Sequence, residues 1–269
     1  MGGLPDFPLG MAWPQGETDS GEIGCLTFVL QLNLAEIDPQ AKHGLPAEGM
    51  LYFFAGNDEE SIDVKHQLAW APDLTGLART PCPVSLHENL VPHSLSIVHG
   101  IGTPGLDDSF WYDLEDGRED TLDRDLKLLS LLSGIHEREE MAGKLFGYQS
   151  RDRGSQLEDV ALIDLGLPEI VFHPKSIEIF DRNIAEAQHK GLLEHAERLL
   201  SLRDKILFYE QHQDEVRAAM DKWCSFLWID SNFKVGFNIW DAGSYSIMIR
   251  HSDLEARRFD RTHGVLSTC

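Results

Sequence analysis

Leu26-Thr27-Phe28-Val29-Leu30-Gln31-Leu32-Asn33 is the stretch on which the fold reading turns. Leu26, Phe28, Leu30 and Leu32 alternate with Thr27, Val29 and Gln31, and a period of two is what a strand with one face in the core requires. Downstream, Met50-Leu51-Tyr52-Phe53-Phe54, bracketed by Gly49 and Gly56, reads as a buried strand. Pro72, Pro81, Pro83, Pro92 and Pro104 then exclude long helices, because each ring removes a donor and clashes with the preceding turn. Ser94 to Val98 fits a short strand there.

The period lengthens from Thr121 to about Met141. Leu122, Leu126, Leu129 and Leu132 fall at helical spacing, with aspartates crowded where the positive end of the helix dipole favours them. After a loop from Gly143 to Gly154, Val160-Ala161-Leu162-Ile163 and Ile170-Val171-Phe172 read as strands. Asp181 to Trp223 carries Leu192, Ala196, Leu199, Ile206, Val216 and Met220 on a helical period, with Glu194 four residues before Arg198. This predicts one long helix or a helical hairpin, with Gly191 as the break. The chain finishes in strands: Phe226 to Ile229, Val235 to Trp240 and Tyr245 to Ile249. Strands, helix, strands, helix, strands lacks the regular alternation of a doubly wound parallel sheet. An α+β, antiparallel-strand-rich fold follows, with one helix near 121–141 and a long helical segment near 181–223.

Composition narrows the function. The chain has 269 residues, 42% hydrophobic and 25% charged, which is the make-up of a soluble globular protein with a substantial core. Its formal net charge is −22, and such a surface repels phosphate polyanions, so nucleic acid is excluded as an expected partner. Apolar runs are too short to span a membrane and no basic, then apolar, leader opens the chain; the expected compartment is the cytoplasm. Cys25, Cys82, Cys224 and Cys269 lack the paired spacing of a zinc site or a disulfide framework. The charge is uneven: residues 1–142 hold 7 basic and 25 acidic side chains, residues 143–269 hold 16 and 20. The excess concentrates in Asp107 to Asp125, where nine acidic residues meet only Arg118 and Arg124.

An internal echo is visible. Phe28-Val29-Leu30-Gln31-Leu32-Asn33 is matched by Phe226-Leu227-Trp228-Ile229-Asp230-Ser231, which reads equally as a duplication or as the chance likeness of two apolar strands. Gly2-Gly3-Leu4-Pro5 with Pro8 and Trp13-Pro14, Gly147-Tyr148-Gln149, Glu158 to Leu162 and Leu227 to Ser231 add further marks. The C-terminal string is the most specific: Trp240-Asp241-Ala242-Gly243, Ile249-Arg250, Asp253-Leu254, Ala256-Arg257-Arg258-Phe259 and Val265-Leu266. Together these residues resemble the YwqG-like family, mainly bacterial proteins of unknown function, across essentially the whole chain. The resemblance implies a single domain over 1–269 built from two similar β-rich halves, about 1–142 and 143–269, and it supplies no activity. Two departures stand out. Family members carry a segment ahead of the Gly-Gly-Leu-Pro turn, where Met1 here abuts Gly2. They also place a Gly between the Trp and Asp of the C-terminal motif and a Gln in the preceding strand, where this chain has adjacent Trp240-Asp241 and Trp228.

Chemical constellations are sparse. Gly100-Ile101-Gly102-Thr103-Pro104-Gly105 fits a dinucleotide pattern, but no helix opens after it to meet a pyrophosphate. His87, His93 and His99 recur every six residues, whereas one helical face needs two histidines four apart to share zinc. Cys82 between Pro81 and Pro83 lacks the electropositive surround that makes a thiolate. No metal and no cofactor are expected. Asp230 and Asp241, with Trp240 and Gly243, read as carboxylates fixing Gly-containing turns, the alternative being a ligand contact at the rim of the sheet.

The acidic stretch is the most informative feature. Asp107, Asp108, Asp113, Glu115 and Asp116 surround Phe110, Trp111 and Tyr112, either as a solvated loop feeding the next helix or as an aromatic anchor with a charged rim. The expectation is a non-enzymatic binding module that uses an acidic surface against a basic protein. The alternatives are an enzyme with a site assembled around Asp230 and Asp241, and an immunity-type protein that neutralises a basic toxin.

Overall fold

The computed structural model describes residues 1–17, 23–56, 64–82, 90–100, 141–147, 156–171 and 173–267. Among them eleven strands form four antiparallel sheets beside five α-helices, which is the α+β class. The helix expected near 121–141 lies outside the described residues. The chain forms two compact units, Met1–Gly154 with Cys224–Cys269, and Ser155–Trp223.

In the first unit the short pairs are β1 (Asp6–Phe7) with β7 (Ala78–Arg79) and β2 (Gln15–Glu17) with β3 (Ile23–Cys25). A three-stranded meander follows, β4 (Thr27–Asn33), β5 (Met50–Ala55) and β6 (His66–Ala71). The second large sheet orders its strands β11-β10-β9-β8, from β8 (Gly143–Leu145), β9 (Trp223–Asp230), β10 (Ser244–Arg250) and β11 (Thr262–Ser267). A short helix, His251–Glu255, follows β10.

The opening strand is buried on two faces, which the even alternation of its leucines does not anticipate. Phe28 pairs with Phe54 and Leu30 with Phe53, so Val29 is an extra residue, a β-bulge. A bulge reverses the phase of a period-two pattern. Leu26 and Phe28 therefore join an aromatic cluster with Phe7, Met50, Tyr52 and Phe54, while Leu30 and Leu32 join the main core with Leu51 and Phe53. The bulged carbonyl of Val29 is met by the Gly2 N–H at 2.8 Å. Gln31 and Asp6 clasp each other, the Asp6 N–H donating to Gln31 Oε1 at 2.8 Å and Gln31 Nε2 donating to Asp6 Oδ2 at 2.9 Å. The buried Tyr52 hydroxyl donates to the Asp6 carbonyl at 2.6 Å, and burial together with the Asp6 charge pushes that phenol up to about 12.

The two large sheets share the main core, where Val29, Phe53 and Leu68 meet Phe226, Ile229, Ile247 and Ile249. They touch at Gly264, whose carbonyl accepts the Val64 N–H at 2.9 Å. A Cβ at Gly264 would lie 2.3 Å from Val64 Cγ2, so only glycine lets the strands approach this closely.

The second unit is helical: α1 (Gln156–Asp164), a 3-10 turn at Pro168–Ile170, α2 (Ile177–His189), α3 (Leu193–Gln211) and α4 (Gln213–Met220). Gly191, at φ +70°, breaks α2 from α3, and a second break falls at His212, so the long segment is a hairpin with a third short helix. Leu162, Ile170, Phe180, Ile184, Leu199, Ile206 and Val216 form its core. Glu158 ties it together, accepting from Lys175 Nζ at 2.7 Å and from the Tyr209 hydroxyl at 2.5 Å. Trp223 Nε1 donates to Asp164 Oδ2 at 2.9 Å.

Five readings need correction. Val160 to Ile163 is the middle of α1, because an unbroken apolar run fits a buried helix as well as a buried strand and Glu158 and Asp159 supply an acidic first turn. Ile170-Val171 belongs to the 3-10 turn started by Pro168, and Phe172 lies outside the described residues. Gly143 to Leu145, read as loop, is β8. Ser94 to Val98 forms no strand, although Leu95 and Ile97 do pack against the main core. Val235, Phe237 and Ile239 are all buried as their alternation demands, yet a single bridge between Asn232 and Phe237 closes a tight turn and no ladder continues.

Candidate functional site

Asp107, Asp108, Phe110, Trp111, Tyr112, Asp113, Glu115 and Asp116 lie outside the described residues. Of the other sequence-derived candidates, Asp230 ends β9, and Trp240, Asp241 and Gly243 fall on the loop that follows it, residues 231–243, between β9 and β10. Their placement follows from the end of β9 upward.

Asp230 closes the strand, donating its N–H to the Ala142 carbonyl at 3.3 Å. Its carboxylate accepts the Ser231 N–H at 3.0 Å. Burial pushes the group above the usual carboxylate range, and that hydrogen bond works against the shift. Asn232 then pairs with Phe237 in both directions, at 2.6 and 3.0 Å, and its side chain accepts the Lys234 N–H at 3.1 Å. The turn leaves Phe233 72% exposed at its tip while Val235 turns inward.

Ser231 is the knot of the loop. Its hydroxyl donates to the Gly243 carbonyl at 2.8 Å and accepts the Ile239 N–H at 2.9 Å. Its own N–H donates to the same Gly243 carbonyl at 3.1 Å, and the Gly243 N–H closes on Ile239 at 2.7 Å. The segment Trp240-Asp241-Ala242 is thereby pinched out, with Trp240 at φ +50° and Ala242 at φ +56°. Side chains other than glycine disfavour this region, at a cost on the order of 1–3 kcal/mol each, and hold it only where their surroundings impose it. Asn238 Nδ2 fixes the Trp240 carbonyl at 2.8 Å, and the indole stands 43% exposed. Asp241 is exposed beside it.

The turn-fixing role expected of the two aspartates is thus divided. Asp230 does accept a backbone N–H, from its own neighbour, but the bonds that shape the pinched segment run through Ser231. Ser231 stood inside the quoted motif, but a serine hydroxyl bridging twelve residues leaves no local pattern to read. Phe233 had no signal either, since one apolar residue between Asn232 and Lys234 fits any loop.

Elsewhere, His93 and His99 are exposed, and burial pushes the Cys224 thiol up to about 11, away from thiolate chemistry. Among the described residues no group of three His, Cys, Asp or Glu side chains is placed to hold a metal ion. No helix among them is long and apolar enough to cross a membrane.

A family model described as a domain of unknown function (DUF1963) matches residues 1–267. The chain belongs to that family. The match spans both compact units, so the helical unit Ser155–Trp223 lies within the family domain. No curated protein matches the sequence closely enough to lend it an activity.

Proposed function

We infer that the chain is a non-enzymatic binding module that meets a basic protein through an acidic surface, in the cytoplasm. The observation that carries this reading is the net charge of −22, concentrated in residues 1–142. A field of that sign speeds encounter with a cationic partner and rejects acidic ones. The loop geometry supports it from the other side. Asp230 is committed to a backbone N–H and Asp241 is exposed, so the two carboxylates lack the shared enclosed site that acid–base chemistry needs. The residue resemblance to YwqG-like proteins is consistent with this reading because it implies no reaction. The strand runs β4–β5–β6 and β9–β10–β11 are antiparallel meanders that each open on an echoed strand, which favours an origin by duplication. Neutralising a basic toxin is a special case of the same reading, resting on charge alone.

The test is association with a lysine-rich peptide, followed at low and high salt for the native chain and for a variant with Asp107, Asp108, Asp113, Glu115 and Asp116 changed to their amides. The variant should associate more slowly and with a flatter salt dependence, since exposed charges are screened over about 8–10 Å at ordinary ionic strength. An unchanged rate and salt slope would refute the role of the acidic surface.

A further inference from the structure

Loop 231–243 carries two costs with no return among the described residues. Trp240 and Ala242 sit in left-handed backbone on either side of Asp241, and the ring that this strain presents stays 43% exposed. Five hydrogen bonds, through Ser231, Ile239, Gly243 and Asn238, hold the strained segment in one shape. Rigid display of a large aromatic side chain is what an interface anchor needs, because little conformational freedom is then lost on binding. Phe233 adds a second exposed ring on the same loop at 72%, and Val91, 52% exposed, is tied to the loop by its N–H on the Val235 carbonyl at 2.8 Å.

Resting on the binding reading above, we propose that this loop is the anchoring surface for an arginine-bearing segment of the basic partner. The indole face of Trp240 would receive a guanidinium and the neighbouring Asp241 carboxylate its N–H donors. Two features select arginine. The exposed Asp241 carboxylate beside the exposed indole calls for a cation. A planar guanidinium stacks on an indole face, and its forked donors suit a carboxylate in a way that the compact ammonium of lysine does not.

The experiment compares an arginine-rich peptide with a lysine-rich peptide of equal length, using the full chain and following association and dissociation rates. Trp240→Ala should weaken the arginine peptide on the order of tenfold or more, mainly through faster dissociation, at an unchanged association rate. Trp240→Gly guards against misfolding, since glycine accepts a φ of +50°, and should show the same loss with the melting temperature retained. Asp241→Asn should narrow the preference for arginine over lysine. Native affinity in both Trp240 variants would overturn the loop proposal. If the amide variant of the 107–116 segment then still associates slowly, the acidic-surface reading survives without the loop. If that variant is also unaffected, both readings fall.

Discussion

The meander β4–β5–β6 and the meander β9–β10–β11 open on strands of echoed sequence, yet they treat their second faces in opposite ways. In the first, Leu51 and Phe53 face the main core while Met50, Tyr52 and Phe54 face an aromatic cluster closed by Phe7 and Trp13. Its one buried hydroxyl, on Tyr52, is bonded. In the second, Leu227, Ile229, Tyr245, Ile247 and Ile249 face the main core, and Trp228, Ser246 and Met248 alternate with them. Ser246 is fully buried, and its hydroxyl, with Ser225 Oγ, Trp228 Nε1 and Ser267 Oγ, has no hydrogen-bond partner among the described residues. An unmet buried donor costs about 1–3 kcal/mol. The first sheet is therefore built for stability on both sides, whereas the second gives up stability on one.

The contrast can be broken at five points. The largest effect should come from the first sheet: Phe53→Ala removes a fully buried ring and should cost about 3–5 kcal/mol in denaturant unfolding. Ile247→Ala on the core face of the second sheet should cost about 2–5 kcal/mol. Losses below about 1 kcal/mol at both positions would mean that the shared core is not the main source of stability.

Tyr52→Phe tests whether the aromatic face depends on its one bonded hydroxyl. It should cost about 1 kcal/mol at neutral pH. The native phenol is pushed up to about 12, so the folded state keeps a proton that the unfolded chain releases near 10. The stability it contributes is complete below about 10 and is lost as pH rises toward about 12. Native and variant stabilities should therefore converge across that window, and parallel curves would disprove the linkage.

Ser246→Ala should behave oppositely, leaving stability unchanged or raising it by up to about 1 kcal/mol, because an unmet hydroxyl is removed. A clear loss in thermal unfolding would show that the hydroxyl is satisfied after all. The smallest effect belongs to Asp230. Its carboxyl titrates above the usual range, so the folded state binds a proton that the unfolded chain has already released. Native stability should then decline slightly as pH rises through that interval. Asp230→Asn should abolish the decline, and its persistence would place the titration elsewhere.

How legible each part was depended on the range of the interactions involved. Thr27–Asn33 and Ser244–Arg250 were readable because burial imposes a local period, and Met50–Ala55 because glycines bracket its apolar run. The break at Gly191 was readable because only glycine takes its backbone angle without strain. Val160 to Ile163 was misread because a short apolar run has no period to distinguish helix from strand. In the candidate site, the motif Trp240-Asp241-Ala242-Gly243 was visible as a string. Its left-handed residues were not, because the cause is a hydroxyl at Ser231.

The sequence by itself determined the class, the antiparallel strands, the long helical segment and the acidic charge, since each depends on composition or on a repeat within a few residues. Tertiary structure alone decided that Val29 bulges and turns one strand toward two cores. It also decided that Val235 to Trp240 closes as a turn, and that Trp240 is held outward on a strained backbone. These outcomes depend on which distant group supplies a hydrogen bond or covers a face, and a linear pattern holds no record of such partners.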